Sequence, residues 1–92
     1  MSYILEFTKV ALADIEKHKK AGDKAVLRKI ARLLDEIKEN PLQGVGKIEL
    51  LKYGLAGKHS RRINQKHRLV YSVEEEIITV HILSLWGHYG DK

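Results

Sequence analysis

Apolar positions along the chain follow two different periods, and the change between them falls at its single proline, Pro41. Before that point Tyr3, Leu5 and Phe7 alternate with Ile4 and Glu6, which predicts a short first strand. Thr8 is placed to cap a helix running from about Lys9 to Lys20. Val10, Leu12, Ala13 and Ile15 give that helix a modest apolar side, and Lys17, Lys19 and Lys20 suit the negative end of its dipole. Ala21-Gly22 breaks it, and Asp23 caps a second helix. There Val26, Leu27, Ile30, Leu33, Leu34 and Ile37 recur at intervals of three and four, a continuous apolar stripe. Asn40-Pro41 ends the stripe, because proline cannot continue a helix. Two helices joined by so short a turn are expected to pack as a hairpin.

Beyond Pro41 the period shortens. Gln43 to Lys47 reads as a glycine-containing loop, Ile48 to Tyr53 as a short apolar piece, and Gly54 to Gly57 as another loop. Three strand-like runs follow: Ser60 to Asn64, His67 to Val73 and Ile77 to Leu85. Gln65-Lys66 and Glu74-Glu75-Glu76 form the turns between them. The pattern predicts an α+β fold in which an N-terminal strand and a two-helix hairpin pack on one face of a mainly antiparallel sheet, leaving the other face open. Period two places Ile78, Val80 and Ile82, and likewise Leu69, Tyr71 and Val73, on the core side. Ile63 facing the core then puts Arg62 on the open face, and Arg68 shares that face.

Length and composition restrict the classes of function. Ninety-two residues make one domain, 1–92, with one core. No cysteine is present, which removes disulfides, thiolate metal sites and cysteine nucleophiles. No apolar run approaches the roughly 18–20 residues of a membrane span, and no signal pattern opens the chain, so a cytoplasmic protein without membrane contact is expected. The net charge of +5 is concentrated. Lys47, Lys52, Lys58, Arg61, Arg62, Lys66 and Arg68 lie within 22 residues that contain one acid, Glu49, while the other 70 residues sum to −1. A stripe of this kind attracts polyanions, nucleic acid first among them. The plainer alternative is a solvated charged face.

A few side chains carry candidate chemistry. Glu49 is a lone carboxylate among cations, which favour its ionised form. It reads either as an ion-pair partner of Lys52 or an arginine, or as a general base in a phosphate-attracting site. His88 is a proton donor near neutrality, and Tyr89 offers a ring to stack on a base and a hydroxyl to bond; the alternative for both is a frayed tail. His18 reads as a solvent-facing helix residue, and His59, His67 and His81 as structural or surface groups. No spacing resembles a metal site or a phosphate-cradling loop, so no metal and no cofactor is expected.

Four strings in order, Gly46-Lys47-Ile48-Glu49-Leu50-Leu51-Lys52, Ser60-Arg61-Arg62-Ile63, His67-Arg68-Leu69-Val70-Tyr71 and Gly87-His88-Tyr89, together resemble the YoeB/Txe family of toxin components of toxin–antitoxin modules, within the RelE-like superfamily. The likeness covers nearly the whole chain. It implies a RelE-like, microbial-RNase-like fold and a ribosome-dependent, metal-independent mRNA endoribonuclease that cuts in the ribosomal A site. Position by position, Glu49 matches the family's general base, Arg68 its transition-state arginine and His88 its general acid. Tyr89 matches the terminal aromatic that orients substrate, and Lys52 and Arg62 match basic residues that hold phosphate. Ile48 stands where the family often has proline, and Gly90-Asp91-Lys92 follows where the family typically stops. The implied partners are a cognate antitoxin of the YefM/Axe kind, the 70S ribosome with its mRNA, and operator DNA through the antitoxin complex only. Family members are often dimeric, which makes a homodimer an option. The competing reading is a non-catalytic module, binding RNA or the ribosome directly or DNA through the antitoxin, in which Glu49 and His88 are incidental.

Overall fold

In the computed structural model of the chain the described residues are 2–42, 48–50 and 58–87, with backbone alone at 48–50. Strand β1 (Ile4–Phe7) leads into helices α1 (Lys9–Ala21) and α2 (Lys24–Glu39), followed by β2 (Ile48–Leu50), β3 (Lys58–Arg62), β4 (Arg68–Glu74) and β5 (Thr79–Ser84). The five strands form one sheet in the order β1-β5-β4-β3-β2. β2, β3, β4 and β5 pair antiparallel in sequence, and β1 returns parallel to β5 with Ile4 opposite Thr79 and Phe7 opposite Ile82. The α+β architecture expected from the sequence is the one observed.

The helix limits follow from local chemistry. Thr8 Oγ1 accepts from the Ala11 amide (3.0 Å), capping α1, and donates to the Leu83 carbonyl (2.9 Å), so the same residue fastens the helix start to the end of β5. Gly22 ends α1 in the left-handed conformation, φ 74°, which glycine reaches without a Cβ penalty. Asp23 Oδ1 then accepts from the amides of Ala25 and Val26 at 3.0 and 3.3 Å and starts α2. Val26, Ile30, Leu33 and Ile37 of α2 are buried against Leu69 and Tyr71 of β4, Val80 and Ile82 of β5, and Ile63 and Leu85. This is the predicted stripe meeting the predicted sheet face.

Three expectations are corrected. On α1, Val10 and Leu12 are more than half exposed, and the buried residues are Ala11, Asp14 and His18. The helix rests on the sheet through Ala11 and Ile15 and through polar groups at positions 14 and 18, and His18, expected in solvent, is 3% exposed. Ile78, expected in the core, instead closes a 3₁₀ turn (Glu75–Ile77) with φ 49°. That turn takes up the residues between β4 and β5 and leaves Ile77 exposed. Nor is the cationic stripe a continuous surface feature: Arg62 and Lys66 are exposed, whereas Arg61 and Arg68 are buried. Arg61 lies on the core side, where its Nε donates to the Tyr71 hydroxyl (3.2 Å) and its Nη2 to the Asn40 carbonyl at the end of α2 (2.7 Å). The Tyr71 hydroxyl in turn donates to the Pro41 carbonyl.

Candidate active site

The side of the sheet away from the helices centres on Ser60, which is fully buried. Strand register sets its neighbours: Glu49 of β2 stands opposite Ser60, Ser60 opposite Val70 of β4, and Arg62 opposite Arg68. Directly opposed residues share a face and alternate residues along a strand do too. Ser60, Arg62 and Arg68 therefore belong to one side of the sheet, and Glu49 is the β2 residue in register with Ser60. Arg68 leans along the strands to reach the serine, its Nε donating to Ser60 Oγ at 2.8 Å and its Nη2 to the Ser60 carbonyl at 3.4 Å. The expectation that Arg68 lies on an open face is corrected here, because it is 3% exposed. Two arginines stand directly opposite one another on adjacent strands here, a pairing that is unfavourable by itself.

The third line of approach is the chain leaving β5. Gly87 adopts φ 89°, in the region where glycine alone is unstrained, and its carbonyl accepts from the Arg68 amide at 2.9 Å. The residue after Gly87 is His88. The backbone thus brings the start of the C-terminal segment beside Arg68, while Arg68 meets Ser60 and Ser60 is registered with Glu49. Lys52, His88 and Tyr89 lie outside the described residues, as does the Glu49 side chain. Among the described residues no group of three or more histidines and carboxylates is placed to hold a metal ion, and no helix is long and apolar enough to cross a membrane. A groove of about 690 Å³ runs along α2, lined by Arg28, Arg32, Asp35 and Glu36 among others. It mixes both signs of charge and contains none of the predicted site residues.

Behind Gly87 the segment is held by a polar cluster that hydrophobic patterning does not reveal. The Gly87 amide donates to His67 Nδ1 at 3.0 Å, which requires that nitrogen to be unprotonated. Burial holds the His67 pKa below its ordinary value of 6.5, aided by His18 and Lys66 and opposed by Asp14. Burial likewise lowers that of His59, with Arg61 adding to the effect. Both groups favour the neutral form in the folded state. Their contribution is complete above about pH 6.5 and is lost as pH falls below it, where the unfolded chain takes up protons more readily. The urea midpoint is therefore expected to fall between pH 7.5 and 5.5, and to fall less in His67→Gln, whose amide oxygen still accepts from Gly87. Identical pH slopes for the two proteins would rule out a part for His67.

A small two-helix, five-strand domain with an arginine-centred spot on its helix-free side is the class of protein that fold and site define. The family of the YoeB-like toxin of bacterial type II toxin–antitoxin systems matches residues 7–89. The chain belongs to that family. A relative, Toxin YoeB of Synechocystis sp., is 38% identical over 85 residues, covering 88% of this chain and 96% of the relative. Two solved structures from Staphylococcus aureus are each 40% identical and cover 97% of this chain and 100% of theirs. One is a YoeB dimer, with a TM-score of 0.80, and the other a heterotetrameric YoeB–YefM toxin–antitoxin complex, with a TM-score of 0.77. The protein is thus a toxin of a toxin–antitoxin system, as the four strings suggested. Ser60 was not singled out in the sequence, although period two from Arg62 places it on the same face.

Proposed function

We propose that this toxin is a metal-independent endoribonuclease that cuts mRNA in the ribosomal A site and so stops translation. RNA carries its own nucleophile, the 2′-hydroxyl beside the scissile phosphate. The enzyme supplies a base for that hydroxyl, cations for the phosphorane and an acid for the departing 5′-oxygen, leaving a 2′,3′-cyclic phosphate and a 5′-hydroxyl. Glu49 serves as base, Arg68 with Lys52 and Arg62 stabilises the phosphorane, His88 is the acid, and Tyr89 orients the substrate. The observation that carries the reading is the convergence on Arg68: its guanidinium is fixed on Ser60, Ser60 faces Glu49 in register, and the Arg68 amide binds the residue preceding His88. A guanidinium held in one orientation meets developing negative charge without reorganising, the condition under which such donors contribute most.

A carboxylate base among cations is a weak base, since they favour its ionised form. Holding the mRNA in line on the ribosome offsets this by positioning, which accounts for a ribosome requirement. The relatives from Staphylococcus aureus support, for this chain, an antitoxin partner and a homodimer. The antitoxin is acidic where it meets the remaining surface cations, and operator DNA is contacted through that complex. The cytoplasm, where ribosomes are, is the site of action.

Primer extension on a defined mRNA tests the activity. Stalled ribosomes should yield a stop at the A-site codon, and free RNA should be cut at least about tenfold more slowly, given what positioning contributes. Equal rates on both substrates would contradict the ribosome-dependent mechanism. Binding with intact mRNA would leave the non-catalytic reading.

A further inference from the structure

Residues 85–87 lie beyond the last strand, yet their backbone is bonded group by group. The amides of Leu85 and Trp86 both donate to Asp14 Oδ2, at 2.9 and 3.2 Å. The Leu85 carbonyl accepts from His18 Nε2 at 2.8 Å. The Gly87 amide donates to His67 Nδ1, and its carbonyl accepts from the Arg68 amide. Successive N–H groups converging on one oxygen form the concavity with which a backbone binds an anion; here the protein's own carboxylate fills it. Asp14 and His18 are 5% and 3% exposed. The Trp86 ring packs on both imidazoles, with centroids 4.7 Å from His18 and 4.3 Å from His67. Lys17 Nζ stands 5.5 Å from the same ring.

Burying a carboxylate and an imidazole on a helix face is costly unless both are hydrogen-bonded. An apolar pair at positions 14 and 18 would fasten α1 to the sheet, but it would leave the Leu85 and Trp86 amides and the Leu85 carbonyl without these partners. The polar choice fixes the direction of three consecutive peptide groups, which packing alone does not do. The segment so fixed ends one residue before His88.

We propose that Asp14, His18 and His67 form a clamp whose task is to set the path of residues 85–87 and thereby aim His88. They are positioning residues for the general acid and do not touch substrate. The catalytic half of this inference rests on the proposed function; the structural half stands apart from it.

The test pairs native-state amide exchange on the full-length chain with kcat and KM for mRNA cleavage on ribosomes. In Asp14→Ala the amides of Leu85 and Trp86, and Gly87 with them, should exchange about tenfold faster or more relative to those of Leu69 and Val80, the scale of a lost buried acceptor. kcat should fall by about tenfold with KM little changed, the mark of a group that acts after binding. Asp14→Asn should restore both, because one amide oxygen accepts two N–H bonds. Where Asp14→Ala does not fold, His67→Leu, which removes the acceptor of Gly87 alone, provides the same comparison. Equal acceleration across the whole sheet would reduce Asp14 to a general stability residue. Local acceleration with unchanged kcat would overturn the aiming role. A wild-type chain that never cuts mRNA would refute the proposed function, while the exchange pattern would still decide the clamp.

Discussion

Replacing Arg68 with alanine is expected to slow mRNA cleavage on programmed ribosomes by about tenfold to a thousandfold, the range spanned by acid–base assistance and by single donors to developing charge. The guanidinium is doubly fixed, through Nε on Ser60 Oγ and through Nη2 on the Ser60 carbonyl. In the proposed mechanism it therefore needs no ordering when the phosphorane forms. Arg68→Lys should rescue little, because a lysine ammonium is a point charge on a flexible stem and lacks the planar fork that keeps one edge on a serine while presenting another. The loss should appear in single-turnover cleavage, which isolates chemistry from product release. A folded Arg68→Ala protein that cuts at the wild-type rate would remove Arg68 from the mechanism and leave Arg62 or Lys52 as the cation to test. Folding must be checked alongside, since Arg68 is buried and its removal leaves Ser60 Oγ without this donor.

The elements and the site differ in how far they can be read without coordinates. α2 was legible because its burial is apolar: Val26, Ile30, Leu33 and Ile37 are both the periodic residues and the buried ones. The strands were legible for the same reason at Leu69, Tyr71, Val80 and Ile82. α1 was legible in its limits and its Thr8 cap but only partly in its buried face, which takes Asp14 and His18 with Ala11 and Ile15 while Val10 and Leu12 face solvent. A hydrophobicity pattern reads only part of such a face. The reason is a long-range one: the partners of Asp14 and His18 are the backbone groups of residues 85 and 86, some seventy positions away. Arg61 shows the same limit. Its charge counts toward a basic stripe in the sequence, yet in the fold it serves the end of α2 and lies inside. Among the site residues, Arg62 and Arg68 share a side as period two requires. What period two does not give is depth, and Arg68 lies under cover where an open face was expected.

Replacing Arg61 with alanine is expected to cost about 3–5 kcal/mol of folding free energy, the sum of a buried acceptor left without this donor and the cavity opened beside it. That is a large fraction of the roughly 5–15 kcal/mol available to a domain. Arg61 is fully buried among the Tyr71 hydroxyl and ring and the Asn40 carbonyl. Its charge is tolerable there because the C-terminal end of α2 presents carbonyls carrying partial negative charge. Alanine removes the donors and leaves a cavity as well. Arg61→Met separates the two effects: it fills most of the space but leaves the Asn40 carbonyl without this donor, for an expected loss of about 1–3 kcal/mol. The Tyr71 hydroxyl still has the Pro41 carbonyl to donate to. Urea unfolding at constant pH measures both variants, with an unchanged slope marking a change of stability alone. Losses under about 1 kcal/mol for both, below the cost of one unsatisfied buried group, would show that the helix end is satisfied another way. The consequence reaches the candidate active face, because Arg61 is flanked in β3 by Ser60 and Arg62. A chain weakened at Arg61 should therefore lose activity before it loses its fold.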